Sequence, residues 1–233
     1  MVDIILVLYG DRSDLDRCIA SIKKHCIGYK IFIHDNNKKN IGFTVACNSL
    51  VKQGQGDKIW LLNQDAIVTE GAMEALVQRL DSSERVGIAG SMQIDYDDRD
   101  LIRLGGLGRC FPAGQHLGGR LSMGHCQIPS KQCWMNGASL MVKRPVYQAV
   151  GPMDERYFLL YSDSDFSFEV RQAGFDIWYE PRSRVIHRLG KASKSSSEWQ
   201  QKDMQAFMKK WGITHTGEQF VYSRKFQKLD MFP

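Results

Sequence analysis

Apolar runs and helically spaced apolar positions take turns from the first residues to Ile94. Residues 3–9 form a β-rich run, and residues 14–24 carry Leu15, Cys18, Ile19 and Ile22 at helical spacing. A second strand is expected over 30–34, a helix over 44–51 and a third strand over 58–62. Residues 71–80 set Met73, Leu76, Val77 and Leu80 on one helical face, and 86–94 read as a fourth strand. Strand–helix alternation with short connections predicts an α/β fold whose largely parallel sheet is covered by helices on both faces. Ligands of such sheets bind beyond the carboxyl ends of the strands.

The pattern then lapses. Glycines recur at 105, 106, 108, 114, 118, 119 and 124 with little periodicity, so a loop or lid is expected over 95–132. It is no Walker loop, because no Gly-Lys-Ser/Thr follows. Regular structure returns with a strand over 139–142 and a helix over 145–150 that starts on proline. Residues 158–161 read as extended, and 165–173 as a helix stopped by Gly174. Extended segments are expected at 176–179 and 184–187, a polar stretch at 191–197 and an amphipathic helix over 198–211. From Ile213 the pattern is ambiguous.

Polar groups at the strand ends are the candidates for chemistry. Asp35 ends the second strand and Asp65 ends the third. Each fits a turn or helix cap. Each also lies on the edge of the sheet where ligands bind, and a carboxylate beside a diphosphate needs a divalent cation between them. In YSDSDF, Asp163 and Asp165 straddle a strand-to-helix junction. Asp165 is the simpler helix cap, which leaves Asp163 as a candidate general base. His187 closes a β-branched run, either as a packed side chain or as a ligand. Trp134 is either an aromatic surface for a ligand or a core residue.

Composition narrows the picture little. The chain has 233 residues, 43% hydrophobic and 24% charged, with a net charge of +5 from 31 basic and 26 acidic side chains. That is an ordinary globular composition with a mild basic excess, which suits a phosphate-bearing ligand, an anionic membrane surface or a nucleic acid. The six cysteines show no CxxC spacing and read as reduced thiols of a cytoplasmic protein. MVDIILVLYG has no basic leader and looks like a first strand. No stretch approaches the ~18 apolar residues that span a bilayer, so any membrane contact is expected to be peripheral.

In order, these segments resemble a known family. The chain opens with DIILVLYG, continues with IFIHDNN, and then with NIGFTVACN from Asn40 to Asn48. LLNQD, NGASLMVKR, MDERYFLLYSDSDF, RQAGFDIWYEP and HRLGKAS follow. Together they are similar to family 2 glycosyltransferases of the GT-A fold, in the rhamnosyltransferase-like branch, from about Val2 to Trp211. Three departures stand out. Asn63-Gln64-Asp65 replaces an Asp-x-Asp or Asn-Pro-Asp metal motif, Ser162 stands where a Glu is usual, and Gly10 stands where an Asn is usual.

The resemblance implies a single GT-A domain over 1–211 with a mixed, mostly parallel sheet, and a C-terminal tail over 212–233. Residues 1–94 would be the nucleotide-sugar half and 95–190 the acceptor half. It implies that Asp65 and His187 hold Mn²⁺ or Mg²⁺ on the donor diphosphate, and that Asp35 reads a uracil or thymine base. Tyr9, Asn36, Asn40, Gly42, Asn48 and Asn63 would complete the nucleotide-sugar site. Asp163 would be the base of an inverting transfer, with Trp134, Asn136, Gly137, Ser162 and Asp165 facing a glycan or glycolipid acceptor. Two alternatives remain in view. One is a non-catalytic nucleotide-sugar or glycan-binding module. The other is the same chemistry on modified DNA bases, which basic segments at 191–194, 209–210 and 224–228 would serve. A nucleotidyltransferase is disfavoured, since YGDRSD carries one Gly and two Asp after the first strand.

Overall fold

The computed structural model describes residues 1–188 and 197–230. The expected basic segment at 191–194 and the last residues of HRLGKAS lie outside them.

Strand β1 (Val2–Leu8) is buried at every position. Its side chains alternate between two cores, with Ile5 and Val7 in one and Val2, Ile4, Leu6 and Leu8 in the other. That is the period of two expected of a central strand covered on both faces. Helix α1 (Arg12–His25) follows, capped by Asp11, whose side chain accepts from Ser13 N–H. Strand β2 (Tyr29–Asp35), helix α2 (Phe43–Val51), strand β3 (Lys58–Leu62) and a short strand β4 (Ala66–Val68) come next. Helix α3 (Ala72–Asp81) leads to β5 (Val86–Asp95). The second half contains β6 (Ile102–Leu104), β7 (Ser130–Lys131), β8 (Ser139–Lys143), α4 (Arg144–Val150), α5 (Ser162–Gln172) and β9 (Asp176–His187). Helix α6 (Ser197–Trp211), a hairpin of β10 (Ile213–His215) and β11 (Phe220–Tyr222), and α7 (Arg224–Asp230) close the described chain.

The main sheet runs β2-β1-β3-β8-β5-β9-β4. β2, β1 and β3 pair in parallel, as do β5 and β9. β8 is antiparallel to both of its neighbours, and β4 is antiparallel to β9. The sheet is therefore mixed, with five of the seven strands pointing one way. Helices α1 and α3 cover one face and α2, α4, α5, α6 and α7 the other.

Four local expectations change. The segment at 158–161 is a bend, not a strand, and ends on Tyr161 at φ +64°. Helix α5 starts at Ser162, so Asp165 is not its cap; its backbone N–H already donates to Tyr161 O (2.8 Å). The two extended pieces at 176–179 and 184–187 are one strand, β9. Its register against β5 slips between Ser91 and Met92, where Pro181 cannot donate to the ladder. The glycine-rich stretch 95–132 is packed down: Leu107, Cys110 and Phe111 are core residues, and Gly114 lies under Trp134.

The C-terminal segment also joins the core. Phe226 packs edge-on to Phe207 of α6 at 6.0 Å, and Asp230 accepts from Cys110 N–H at 2.9 Å. None of the six cysteines forms a disulfide. Among the described residues no helix is long and apolar enough to cross a membrane.

Candidate active site

The parallel trio β2, β1 and β3 delivers Asp35, Tyr9 and the turn Asn63-Gln64-Asp65 to one edge of the sheet. Asp65 does not end β3, which stops at Leu62; it closes the tight turn into β4. Side-chain amides stitch these ends together. Gly10 N–H donates to Asn37 Oδ1 (2.8 Å), and Asn37 Nδ2 donates to Gly10 O (3.0 Å). Gln64 makes the same reciprocal pair with the Tyr9 backbone. Asp35 accepts from Asn37 N–H (3.0 Å), which orients its carboxylate within the turn.

His187 ends β9, with Ala66 of β4 on one side and Asp95 of β5 on the other. Its Nε2 lies 3.2 Å from Asp65 Oδ1 and 3.3 Å from Asn63 Nδ2. Its Nδ1 meets Gln93 Oε1 at 3.0 Å. Gln93 Nε2 donates to Asn136 Oδ1 (3.1 Å), which also accepts from Ala138 N–H (2.9 Å). The next residue, Gly137, donates its N–H to Asp163 Oδ2 at 2.8 Å. Close polar contacts of 2.8–3.2 Å and a single peptide step therefore link Asp65 to Asp163.

Asp163 sits in the first turn of α5, where the free N–H groups favour negative charge. Its other oxygen accepts from Ser164 N–H (2.7 Å). Burial pushes its pKa up, while the bonds from Gly137 and Ser164 pull against that rise. Gly137 approaches so closely that an added Cβ would lie 3.4 Å from the Asp163 Cβ.

Helix α6 fixes the segment on both sides of Asp163. The Asp203 carboxylate accepts three backbone N–H groups, from Phe158 (2.8 Å), Leu159 (2.9 Å) and Leu160 (2.8 Å). Lys210 Nζ, Trp211 Nε1 and Tyr157 OH hold Asp165 at 2.7, 2.8 and 3.0 Å.

Several expected site residues are placed elsewhere. Asp165 turns toward α6 and is saturated there, so it does not face an acceptor. Asn48 is fully buried and uses its whole amide: Nδ2 donates to Met153 O and Glu155 Oε1, and Oδ1 accepts from Tyr147 OH and Met153 N–H. No hydrogen-bonding capacity remains for a nucleotide-sugar. Trp134 is a core residue, 3% exposed, with its indole N–H on Gly108 O (2.9 Å). Stacking on a sugar is closed to it. Asn36 is buried and braces the following loop through Gly42 O and Ile41 N–H. Asn40 accepts from Gly42 N–H. Gly42, at φ +83°, leaves no room for a Cβ, which would meet Phe158 at 2.8 Å. These three shape the loop between β2 and α2. Ser162 is buried under the start of α5.

Three residues were not visible as candidates: Gln93, His116 and Asp203. Gln93 is a lone amide in an otherwise buried, small and apolar strand, which is a signal of its own. His116 Nε2 lies 3.4 Å from Asn136 Nδ2, and burial pushes its pKa down to about 4. Nothing in the periodicity of its loop marks it.

Among the described residues no group of three or more His, Cys, Asp or Glu side chains gathers as a metal cage. The chain offers one carboxylate and one imidazole, Asp65 and His187. That pair fits Mg²⁺ or Mn²⁺, which are held through few protein ligands together with substrate phosphates. Their 3.2 Å separation is close to the ~3.0 Å between neighbouring ligands of an octahedral ion with ~2.1 Å bonds.

Comparison with known proteins agrees with this architecture. The family described as "Glycosyltransferase like family 2" matches residues 1–207. The chain is 24% identical over 181 residues to N-acetylglucosaminyl-diphospho-decaprenol L-rhamnosyltransferase of Mycobacterium tuberculosis (strain ATCC 25618 / H37Rv), covering 64% of this chain and 56% of that protein. It is 25% identical over 137 residues to dTDP-rhamnosyl transferase RfbF of Shigella flexneri, covering 59% and 44%. The chain thus spans about half the length of these curated relatives. Among solved structures, GalNAc-T7 with UDP, GalNAc and Mn²⁺ superposes with a TM-score of 0.68 at 13% identity, over 89% of this chain and 47% of that one. The mannosyltransferase PcManGT from Pyrobaculum calidifontis, in complex with GDP-Man and Mn²⁺, gives 0.62 at 11% identity, over 98% and 67%. These neighbours show the GT-A fold. With the family match running through nearly the whole of that fold, the chain belongs to glycosyltransferase family 2.

Proposed function

We propose that this protein transfers a sugar from a nucleoside-diphosphate donor, UDP- or dTDP-linked, to a hydroxyl of a glycan or glycolipid acceptor, with inversion at the anomeric carbon. The observation that carries the reading is the line of polar contacts from Asp65 through His187, Gln93 and Asn136 to the turn that holds Asp163. It supports reading Asp65 as the diphosphate-side carboxylate and Asp163 as the base-side carboxylate of one site.

Asp35 and Tyr9 bind and orient the nucleotide at the ends of β2 and β1. Tyr9 is 46% exposed and free to lie against a base. Asp65 and His187 would hold Mn²⁺ or Mg²⁺, which when bound supplies Lewis-acid stabilisation of the departing diphosphate. Asp163 takes the proton from the acceptor hydroxyl as that oxygen attacks. Its raised pKa suits the task, because a base is most effective when its pKa approaches the working pH. Gly137 N–H and Ser164 N–H fix the carboxylate, so little reorganisation is needed at the moment of transfer. No covalent nucleophile is required.

The relatives' printed activities point to rhamnose as the sugar and to a lipid-diphosphate-linked acceptor as the model for the other substrate. The DNA-base alternative loses one of its cations: Lys210 is committed to Asp154, Asp165 and Glu169 at 2.7–3.3 Å. The direct test is Asp163→Asn. It should bind donor and Mn²⁺ as the parent does, yet lose transfer by about 10²–10⁴-fold, the usual worth of a positioned base. Full transfer by this variant would remove Asp163 from the role.

A further inference from the structure

We propose that Gln93 and Asn136 are positioning residues that lock His187 in its Nδ1–H tautomer and so leave the Nε2 lone pair facing Asp65. The value of that lone pair rests on the function proposed above, but the tautomer itself does not.

The assignment starts from a backbone group, which cannot be flipped. Ala138 N–H points at the Asn136 side chain at 2.9 Å, so the atom receiving it is Oδ1. Gln93 approaches that same oxygen at 3.1 Å and must present its NH₂. The other end of the Gln93 amide is then Oε1, an acceptor with no hydrogen, and it lies 3.0 Å from His187 Nδ1. The proton therefore resides on Nδ1. Reversing either amide would set two donors or two acceptors face to face in a buried site; Gln93 is 1% and His187 4% exposed. Leaving a buried donor or acceptor unpaired carries its full desolvation penalty, which holds the orientation.

In the neutral ring, a proton on Nδ1 leaves Nε2 with a lone pair. It faces Asp65 Oδ1, a second acceptor, at 3.2 Å. Asn63 Nδ2, at 3.3 Å, gives Nε2 only a long hydrogen bond. Two acceptors held this close are a cation's donor set. The relay also explains why a polar residue occupies the middle of β5, where every neighbour is buried. Its far end rests on Asn136, beside the Gly137 N–H that holds Asp163. The orientation of the metal-side imidazole and the floor under the base thus share one anchor.

Long-range ¹H–¹⁵N spectra of metal-free, ¹⁵N-histidine-labelled protein at mildly alkaline pH test this without activity. His187→Asn identifies the signal. The parent should show protonated Nδ1 and bare Nε2. Gln93→Met should shift the ring toward the Nε2–H form. Gln93→Glu keeps an acceptor at Nδ1 while losing the donor to Asn136, and should still place a proton on Nδ1; thermal unfolding of each variant controls for folding. An Nε2–H ring in the parent, or a ring indifferent to Gln93→Met, would overturn the proposal. Titration of Mn²⁺ with dTDP by electron paramagnetic resonance gives the second readout. Gln93→Met should weaken Mn²⁺ about 10-fold or more, as loss of an outer-sphere partner does. Expected tautomers with no Mn²⁺ binding by the parent would support the relay and refute the metal reading of the site.

Discussion

The side chain of Gln64 pairs with the backbone of Tyr9 as a strand would: Oε1 accepts from Tyr9 N–H and Nε2 donates to Tyr9 O, both at 2.7 Å. The residue that departs from the family's usual proline thus joins the ends of β1 and β3. Proline could make neither bond. Gln64→Ala should cost about 1 kcal/mol of stability, because the pair is exposed. Nucleotide affinity should fall with it, as Tyr9 and Asp65 lose their shared brace. Urea unfolding and nucleotide titration check the two effects separately.

Asp163 should give the pH–rate profile its acidic limb. Burial raises its pKa above the ordinary 3.8, and the base must be ionised to work. Activity should therefore fall as pH drops through an apparent pKa above that value. Stability carries the opposite sign. Below 3.8 folded and unfolded chains both hold the proton. As pH rises the unfolded chain ionises first, so this group's contribution to stability is lost up to its raised folded pKa. Asp163→Asn should remove that loss, and its stability relative to the parent should grow as pH rises through this window. Thermal unfolding of both proteins across the acidic range measures it.

Asp203 anchors the bend before α5 through three backbone N–H groups, and it is itself buried. Asp203→Ala would leave those donors unmet and should destabilise by about 3 kcal/mol or more. Asp203→Asn, which keeps one acceptor oxygen, should fall between. Because the bend leads directly into Asp163, kcat should drop more than KM rises. Denaturant curves and steady-state kinetics distinguish this from a loss of stability alone.

Asp3 and Arg144 provide a control remote from the cleft. Asp3 is fully buried, meets Arg144 Nη2 at 2.6 Å and accepts from Gly56 N–H at 2.7 Å. Asp3→Ala strands a largely buried guanidinium and should cost about 3–5 kcal/mol. Gly54→Ala should also destabilise, since its Cβ would fall 2.1 Å from an Asp3 oxygen. Both variants, assayed well below their melting temperatures, should keep the parent KM for donor.

Much of this was legible in the chain. The central strands are runs of residues buried on both faces, and hydrophobic pattern alone places β1, β3, β5 and β8 within a residue or two. The carboxylates at strand ends stand out because a parallel sheet leaves only its edges for ligands. What failed was set by tertiary contact. Asn48 and Trp134 carry chemistry suited to a sugar, but their partners, Met153 and Tyr147 for one and Gly108 for the other, are distant in sequence. The start of α5 was hidden because its cap position is Tyr161 in a left-handed conformation, with no Ser, Thr, Asp or Asn to announce it. Asp165 looked like that cap while its real partners wait in α6. Asp203 looked like one more polar residue on an amphipathic helix.

The claim that most needs testing is that Asp65 and Asp163 border one cleft and that the metal lies in it. Paramagnetic broadening by Mn²⁺ bound with dTDP or UDP tests it directly in amide spectra. The Gly137 and Ser164 signals should broaden together with those of Asn63 and Ala66. Broadening centred instead on the acidic hollow lined by Asp154, Glu155 and Glu169, with Gly137 and Ser164 left sharp, would contradict it.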